Sequence, residues 1–535
     1  MPTPRAHGGA PLVPVNINNP ARFGLNTEEA GAILTSEWAT VLDNAVFDSN
    51  GRPASRDGFL SLTTSAGSGT VRRIFEYYQA DGTSEVIYST DSDIYRDTTT
   101  ATSIEGSLGV SDGNIKFVNF NDKVIAFGIG AGGVPAVRTT GDFASITVAS
   151  GTAPTSSIGT SAFGRLWGVD TDGKTIRYSA LLDETKWDQI DGGGFIDMSQ
   201  VWPAGQDNVV AIEEFGGDLV VFGSNNTVIW TDGAASSLGV DPTNLYVSDT
   251  IPGQGAISQF AITRVAGDLW VLTPAGIVGL RREIVQRSTP ITNLSRHIQS
   301  EIISSTQAET NVDNITMEYS PKEALVIVIF PSTDKQFTFD ARRPLQDGSF
   351  RATTWTSDLQ TIAYIRDNTE LYGSFTGTAG EILQYTGTVD NGETFRFNYE
   401  SGWLELGQEL NAFLKFVKRI TSFVFIEANV TISYKLLYDF GLKTFTIQNA
   451  GSGGRVSEWG TFEWGSNGVY DTNDSDAVAG TDYAEWSGSV ALRTVDAPGK
   501  GSGQYLKVGV TVDTNSGAFA LQQLNLYTKI GRHAT

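Results

Sequence analysis

The sequence predicts a mostly β protein, and three observations carry that prediction. Glycine supplies 59 of 535 residues, and β-branched and aromatic residues are plentiful. Stretches rich in Glu and Lys with helical spacing are scarce. Short apolar runs, each opened by a turn, also recur along most of the chain. A length of 535 residues suggests roughly two to four domains, enough chain to bury large cores without disulfides or metals.

Residues 1–69 read as an N-terminal arm followed by a helix. The arm, 1–25, is rich in Pro, Asn and Gly and is expected to be extended. Asn26-Thr27-Glu28-Glu29 resembles a helix cap with early acids, which suit the helix dipole. Ile33, Leu34, Trp38, Val41 and Leu42 then fall at helical spacing. A second helix is expected over Asn293 to Ser304, with Leu294, Ile298, Ile302 and Ile303 on one stripe.

Residues 70–395 repeat one unit, a turn leading into a short apolar strand with a second strand some residues later. The copies begin at Ser84-Glu85-Val86-Ile87, Asp122-Lys123-Val124-Ile125 and Gly164-Arg165-Leu166-Trp167. They continue with Gly217-Asp218-Leu219-Val220, Gly267-Asp268-Leu269-Trp270, Glu323-Ala324-Leu325-Val326 and Thr369-Glu370-Leu371-Tyr372. Anchors at 86, 124, 166, 219, 269, 325 and 371 are separated by 38, 42, 53, 50, 56 and 46 residues. A period of roughly 40–50 with several short strands per unit predicts a β-propeller of about six to eight irregular blades. An all-β array with evenly spaced hairpins is the alternative. The dipeptide Trp187-Asp188 does not recur from unit to unit, which argues against WD40 repeats.

Residues 396–535 change pattern. Segments 395–403, 420–428, 430–438, 443–448, 487–493, 504–512 and 518–527 read as longer alternating strands. They predict a C-terminal β-sandwich of jelly-roll type. Residues 451–485, with Trp459, Trp464, Tyr470 and Tyr483, read as a long excursion from it.

The composition excludes several chemistries. Lys plus Arg is 37 and Asp plus Glu 60, so the formal charge is 37 − 60 = −23, which disfavours tight binding to nucleic acid. The absence of Cys removes disulfide scaffolds, thiol nucleophiles and Cys-ligated metals. Only His7, His297 and His533 are present, leaving little for a His-based triad or metal centre. The opening residues lack the layout of a secretory signal, and the apolar run Ala324 to Phe330 is far short of the ~20 residues that span a bilayer. A soluble protein made in a cytoplasm is expected.

Motifs that could carry chemistry have simpler readings. Gly128-Ile129-Gly130-Ala131-Gly132-Gly133 fits GxGxxG after a strand, but Val134-Pro135 follows where a dinucleotide site needs a helix. It reads as a β-turn. Asp170-Thr171-Asp172-Gly173 and Asp471-Thr472-Asn473-Asp474-Ser475-Asp476 offer oxygen ligands for calcium, yet neither continues into an EF-hand loop, and turns are expected. Repeated Ser/Thr-x-Asp-x-Gly-x-x-Trp turns of sialidase type are absent. Trp459, Trp464 and Trp486 suit a sugar-stacking platform, sandwich core or subunit contact. The basic cluster Lys415-Phe416-Val417-Lys418-Arg419 reads as an ion-pairing element within or between subunits. The sequence assigns no catalytic, cofactor-binding or metal residue, and no cofactor.

Three stretches carry a family resemblance. The first is Leu42-Asp43-Asn44-Ala45-Val46-Phe47-Asp48 with Gly51-Arg52-Pro53-Ala54-Ser55-Arg56-Asp57-Gly58. The second is Gly402-Trp403-Leu404-Glu405-Leu406-Gly407 with Phe416-Val417-Lys418-Arg419-Ile420. The third is Gly501-Ser502-Gly503-Gln504-Tyr505-Leu506-Lys507-Val508-Gly509 with Leu521-Gln522-Gln523-Leu524-Asn525-Leu526-Tyr527 and Gly531-Arg532. Together they resemble the tail nozzle proteins (tail tubular protein B-like, or particle-stabilising) of short-tailed bacteriophages, the podoviruses. The resemblance implies a non-enzymatic structural virion protein at the tail tip. It also implies a propeller beside sandwich elements, and six copies in a ring under a tail adaptor. Such a ring closes the DNA channel, conducts the genome during ejection without specific binding, and anchors fibres or spikes. The net charge agrees, because a basic lumen would hold phosphates and stall passage. The alternatives are a carbohydrate-binding or carbohydrate-cleaving tail spike and a cytoplasmic propeller scaffold.

Overall fold

A computed structural model describes residues 12–203, 206–232, 242–280, 292–377, 379–405, 413–426, 430–441, 443–451, 491–514 and 517–533. The chain divides into two compact units. One comprises 59–350 and 357–385; the other comprises 1–58, 351–356 and 386–535.

The first unit is a β-propeller. Six four-stranded antiparallel sheets follow one another. Five are contiguous in sequence: 71–103, 117–145, 159–197, 209–252 and 262–293. The sixth combines Leu359–Ile365, Glu370–Phe375 and Leu383–Tyr385 with Phe59–Ser61 from the opposite end of the unit. Between the fifth and the last blade lies a further antiparallel meander, Thr316–Ser320, Leu325–Phe330 and Lys335–Asp340. Each of the seven repeat anchors falls on the second strand of one of these seven meanders. The period was legible because every unit must open with a tight turn and then bury one short strand completely. Leu166, Leu219, Leu269 and Leu371 are all at most 1% exposed.

The ring closes through side chains shared by neighbouring blades. Trp167, Ile176, Leu219 and Val228 join the third to the fourth blade. Val220, Ile229, Leu269 and Val278 join the fourth to the fifth. Tyr88 and Tyr95 pack with Ile365 and Tyr372, which brings the last blade back to the first. Such sharing makes each interface a continuous core, so no blade is stable alone.

The second unit contains two sheets built from both ends of the chain. In one, Phe519–His533 pairs with Phe413–Ile426, Val13–Ile17 and Pro53–Ser55. Phe413–Ile426 also pairs with Ala491–Pro498. In the other, the order runs Trp38–Asp43, Arg396–Ser401, Tyr505–Asp513, Val430–Tyr438 and Lys443–Gly451. A buried hydrogen bond between Ser422 Oγ and Tyr434 OH and the Phe397–Phe519 ring contact at 5.1 Å link the two sheets. This unit therefore differs in extent from the expected segment 396–535, because strands from residues 13–55 are integral to it.

The helix expected from Asn26 is absent. Asn26 Oδ1 does accept from the backbone N–H groups of Glu28 and Glu29, as a cap would. The chain then turns, and Trp38–Asp43 extends to pair with Arg396–Ser401. Ile33 is 73% exposed while Ala39 and Leu42 are fully buried, so the buried positions do not follow a helical stripe. Tertiary strand pairing overrides local spacing here. The second expectation holds with a shift: a 3-10 turn, Arg296–Ile298, leads into the helix Gln299–Ala308, burying Leu294, Ile298 and Ile302. No helix among the described residues is long and apolar enough to cross a membrane.

Candidate functional site

Charged and buried polar side chains on and just before the first strands of several blades join in one network. At the end where the innermost strands begin, Arg73 of the first blade is buried. It donates to Thr316 Oγ1 at 2.6 Å, to Asn114 Oδ1 at 3.1 Å and to the backbone carbonyl of Asp313. Its guanidinium lies 3.6 Å from the Phe260 ring centroid. Asn114 donates to Asn314 Oδ1, Ser258 to Asp313 Oδ1, and Gln259 to the carbonyl of Ser157. Four inter-blade loops thus meet Arg73 of the first blade's inner strand at one polar hub. Burial pulls the Arg73 guanidinium down to about 9, against the pull of the nearby Asp313 carboxylate.

Further along the inner strands the charges alternate. Lys116 Nζ is 2.9 Å from Glu213 Oε1, and Arg264 is 3.1 Å from Glu214. Glu76 accepts the backbone N–H groups of Arg366 at 2.7 Å and Asp367 at 2.9 Å. Burial, then the bonded Glu76 carboxylate, push the Tyr78 hydroxyl up to about 12.

Glu318 differs from these carboxylates. Desolvation pushes it up to about 7, against the backbone donors of Tyr364 and Tyr319 and the charges of Lys116 and Arg366. A carboxyl raised in the fold favours its neutral form. Its contribution to stability is fully present below the unfolded value near 4.5 and is lost as pH rises through about 7. Glu318→Gln is expected to flatten this dependence. Between pH 4.5 and pH 8 the variant should lose less unfolding free energy than the parent by on the order of 3 kcal/mol, at about 1.4 kcal/mol per unit. Denaturant titrations of both proteins across that range test it, and parallel pH profiles would refute the assignment.

No group of three or more metal-ligating side chains occurs among the described residues. Asp170 binds Arg177 Nε at 2.7 Å, and Asp172 accepts from Lys174 N, Thr175 N and Thr175 Oγ1. Both carboxylates of that candidate calcium loop are therefore engaged in a hairpin turn. The Gly128–Gly133 run forms a turn ending in the 3-10 segment Ala131–Gly133, with Gly132 at φ 71°, and a strand follows it. Lys415 is buried, Lys418 lies 5.4 Å from the Phe416 ring and Arg419 4.2 Å from the Tyr527 ring. The basic cluster therefore packs largely on aromatic rings within its own unit. His297 Nε2 meets Asp347 Oδ2 at 2.9 Å on a turn. Trp459, Trp464, Trp486 and the 471–476 acids lie outside the described residues, as does His7.

Sequence reasoning missed the hub. Arg73 stands inside its strand, while Asn114, Gln259 and Asp313 each stand three residues before the first strand of their meander, a polar position too short to read as a motif in the sequence.

No family model matches the chain, and no curated protein matches it. Similar solved structures include YCF48 from Cyanidioschyzon merolae, 10% identical over 61% of this chain and 98% of its own, with a TM-score of 0.37. PorZ of Porphyromonas gingivalis, an essential surface component of its type-IX secretion system, is 11% identical over 64% of this chain, with a TM-score of 0.34. This chain spans 42% of the PorZ chain. The propeller assignment rests on the strand pairings themselves.

Proposed function

We propose that this chain is a structural component of a short phage tail, a nozzle subunit that assembles with copies of itself at the tail tip. The observation that supports this most is where the resembling stretches lie. They are hundreds of residues apart in sequence, yet they occur in the same unit and largely on paired strands. Arg419 pairs with Tyr527, Ile420 with Leu526, and Leu404 with Leu506, and Arg52 donates to Gln522 Oε1 at 3.4 Å. Residues scattered in sequence but joined in one packing unit are what a common ancestral domain would leave behind.

The net charge of −23 is in keeping with a surface that DNA must pass without being held. In this reading six copies form the ring, a tail adaptor binds above, and fibres or spikes attach outside. The ring retains the genome before infection and conducts it during ejection.

Immunogold electron microscopy of virus particles with antibody to this chain is expected to label the tail tip alone. Particles assembled without the chain are expected to lose DNA and to end in a shortened tail. Label on lateral appendages, or DNA-filled particles with full tails in its absence, would sink the reading.

A further inference from the structure

The outermost strand of each blade is a sheet edge, and in three of the six blades that strand is only two residues long. Thr102–Ser103, Ala144–Ser145 and Thr292–Asn293 contain two residues each. Short polar edges resist pairing with foreign strands. The third blade departs from this pattern. Its outer strand, Gly194–Asp197, turns Ile196 toward the blade core and Phe195 to the opposite face, where it is 54% exposed. Just before it, Ile190 is 94% exposed, and Leu181 and Leu182 are 49% and 55% exposed. The fourth blade's outer strand, Leu245–Pro252, likewise leaves Tyr246 and Val247 partly open.

The third-blade residues are held in place. Arg165 Nη1 donates to the carbonyls of Ser179 and Gly192, tying the segment before Leu181 to the turn between Ile190 and Phe195. Leu182 takes φ 56°, an uncommon conformation for its type. Its N–H bonds the carbonyl of Gly164 at 2.8 Å and its carbonyl accepts from Asn121 Nδ2 at 3.0 Å. Four large apolar side chains thus stand exposed on a segment whose backbone is tied down, and exposed apolar groups gathered in this way suit binding.

Charge decides the occupant. Asp191 and Asp197 are exposed beside Ile190 and Phe195, and Asp183 and Asp188 are half-buried in the same loop. Of the nearby cations, Arg177 pairs with Asp170 at 2.7 Å and Lys186 with Asp183 at 3.6 Å, and among the described residues Lys174 alone acts on Asp197, so the four acids outnumber the cations facing them. A second copy would bring the same acids and another −23 charges.

We propose that the rim of the third blade binds an extended polypeptide segment of a partner protein that carries apolar and basic side chains in turn along one face, since Phe195 and Asp197 share a face of their strand. The segment pairs with the free edge of Gly194–Asp197. Its apolar side chains cover Phe195 and Ile190, and its basic side chains meet Asp191 and Asp197. This is strand addition to a sheet edge, with the backbone supplying affinity and alternate side chains supplying selection.

A fluorescein-labelled peptide of repeating Val-Thr-Lys-Thr, which sets Val and Lys on one face when extended, serves as the probe, read by anisotropy against the full chain. Saturable binding is expected, at least tenfold weaker with Phe195→Glu and with Ile190→Glu and unchanged with Thr102→Glu on the first blade's edge. Asp191→Asn should reduce the salt dependence, and a Val-Thr-Glu-Thr peptide should not bind. These side chains are exposed, so the variants keep the parent's unfolding midpoint. Absence of saturable binding by the Val-Thr-Lys-Thr peptide would overturn the proposal, as would equal binding by the Phe195→Glu and Ile190→Glu proteins. So would a parent that sediments as a dimer which Phe195→Glu dissociates, since a second copy then occupies the rim.

Discussion

Replacing Arg56 with Met is expected to destabilise the two-sheet unit by about 3–5 kcal/mol, the cost of leaving one member of a buried ion pair without the other. The Arg56 side chain is fully buried and donates to Asp390 Oδ1 at 2.8 Å, to Asn44 Oδ1 at 3.1 Å and to the carbonyl of Asp57 at 2.8 Å. The guanidinium also lies 3.9 Å from the Phe395 ring. Met retains much of the apolar stem but supplies no donor, so the Asp390 carboxylate, 12% exposed, loses its counter-charge. Chemical denaturation measures the loss. The double variant Arg56→Met, Asp390→Asn should recover more than 1 kcal/mol relative to the sum of the singles, because the stranded charge is gone. A single-variant loss under 1 kcal/mol would contradict the burial of this pair.

Phe59→Ala is expected to cost about 3–5 kcal/mol and to loosen the last propeller blade first. Phe59 is fully buried, with ring contacts to Phe375 at 5.4 Å and Tyr385 at 5.2 Å. Its strand pairs Phe59 with Tyr385, Leu60 with Gln384 and Ser61 with Leu383. A strand from the start of the unit thus completes the blade made by its end, which closes the ring without leaving a blade short. Truncating the ring at this closure leaves a cavity where the two ends of the unit meet. Hydrogen exchange should accelerate in 359–385 before it does in 209–252. Leu60→Ala, on the same strand but 39% exposed, should cost under about 1 kcal/mol. Uniform acceleration across all blades would show that the closure strand has no special part.

Most of the propeller was legible because each repeat obeys a local rule. Gly217-Asp218 and Gly267-Asp268 open hairpins, and the Leu219–Phe222 and Leu269–Leu272 runs that follow are buried on both faces. Turn chemistry and hydrophobicity act over a few residues, so they can be read wherever they recur. The strands of the second unit were legible for the same reason: Val430–Tyr438 shows strict alternation of buried and open positions. The region from Asn26 to Leu42 was misread because a cap-like turn and apolar spacing are compatible with a helix in isolation. Its fate was decided by a partner strand at 396–401, some 360 residues away.

The candidate site was less legible than the fold. A charge such as Glu318 sits on a strand that reads as Thr-Met-Glu-Tyr-Ser, where alternation places the Glu on an open face. Only the closed ring turns that face toward other strands, desolvates the carboxyl and brings the charges of Lys116 and Arg366 to bear on it. Arg73 likewise becomes a hub residue only when loops from distant blades converge on it.

The sequence by itself determined the fold class, the seven-fold run of meanders and the acidic, cysteine-free character of the chain. These follow from composition and from interactions that span a few residues. The tertiary structure decided which strand closes the ring, which residues from the two ends of the chain share one unit, and which charges meet on the axis. Those outcomes depend on side chains brought together across hundreds of residues, where burial and pairing set the energy and local spacing carries no record of the partner.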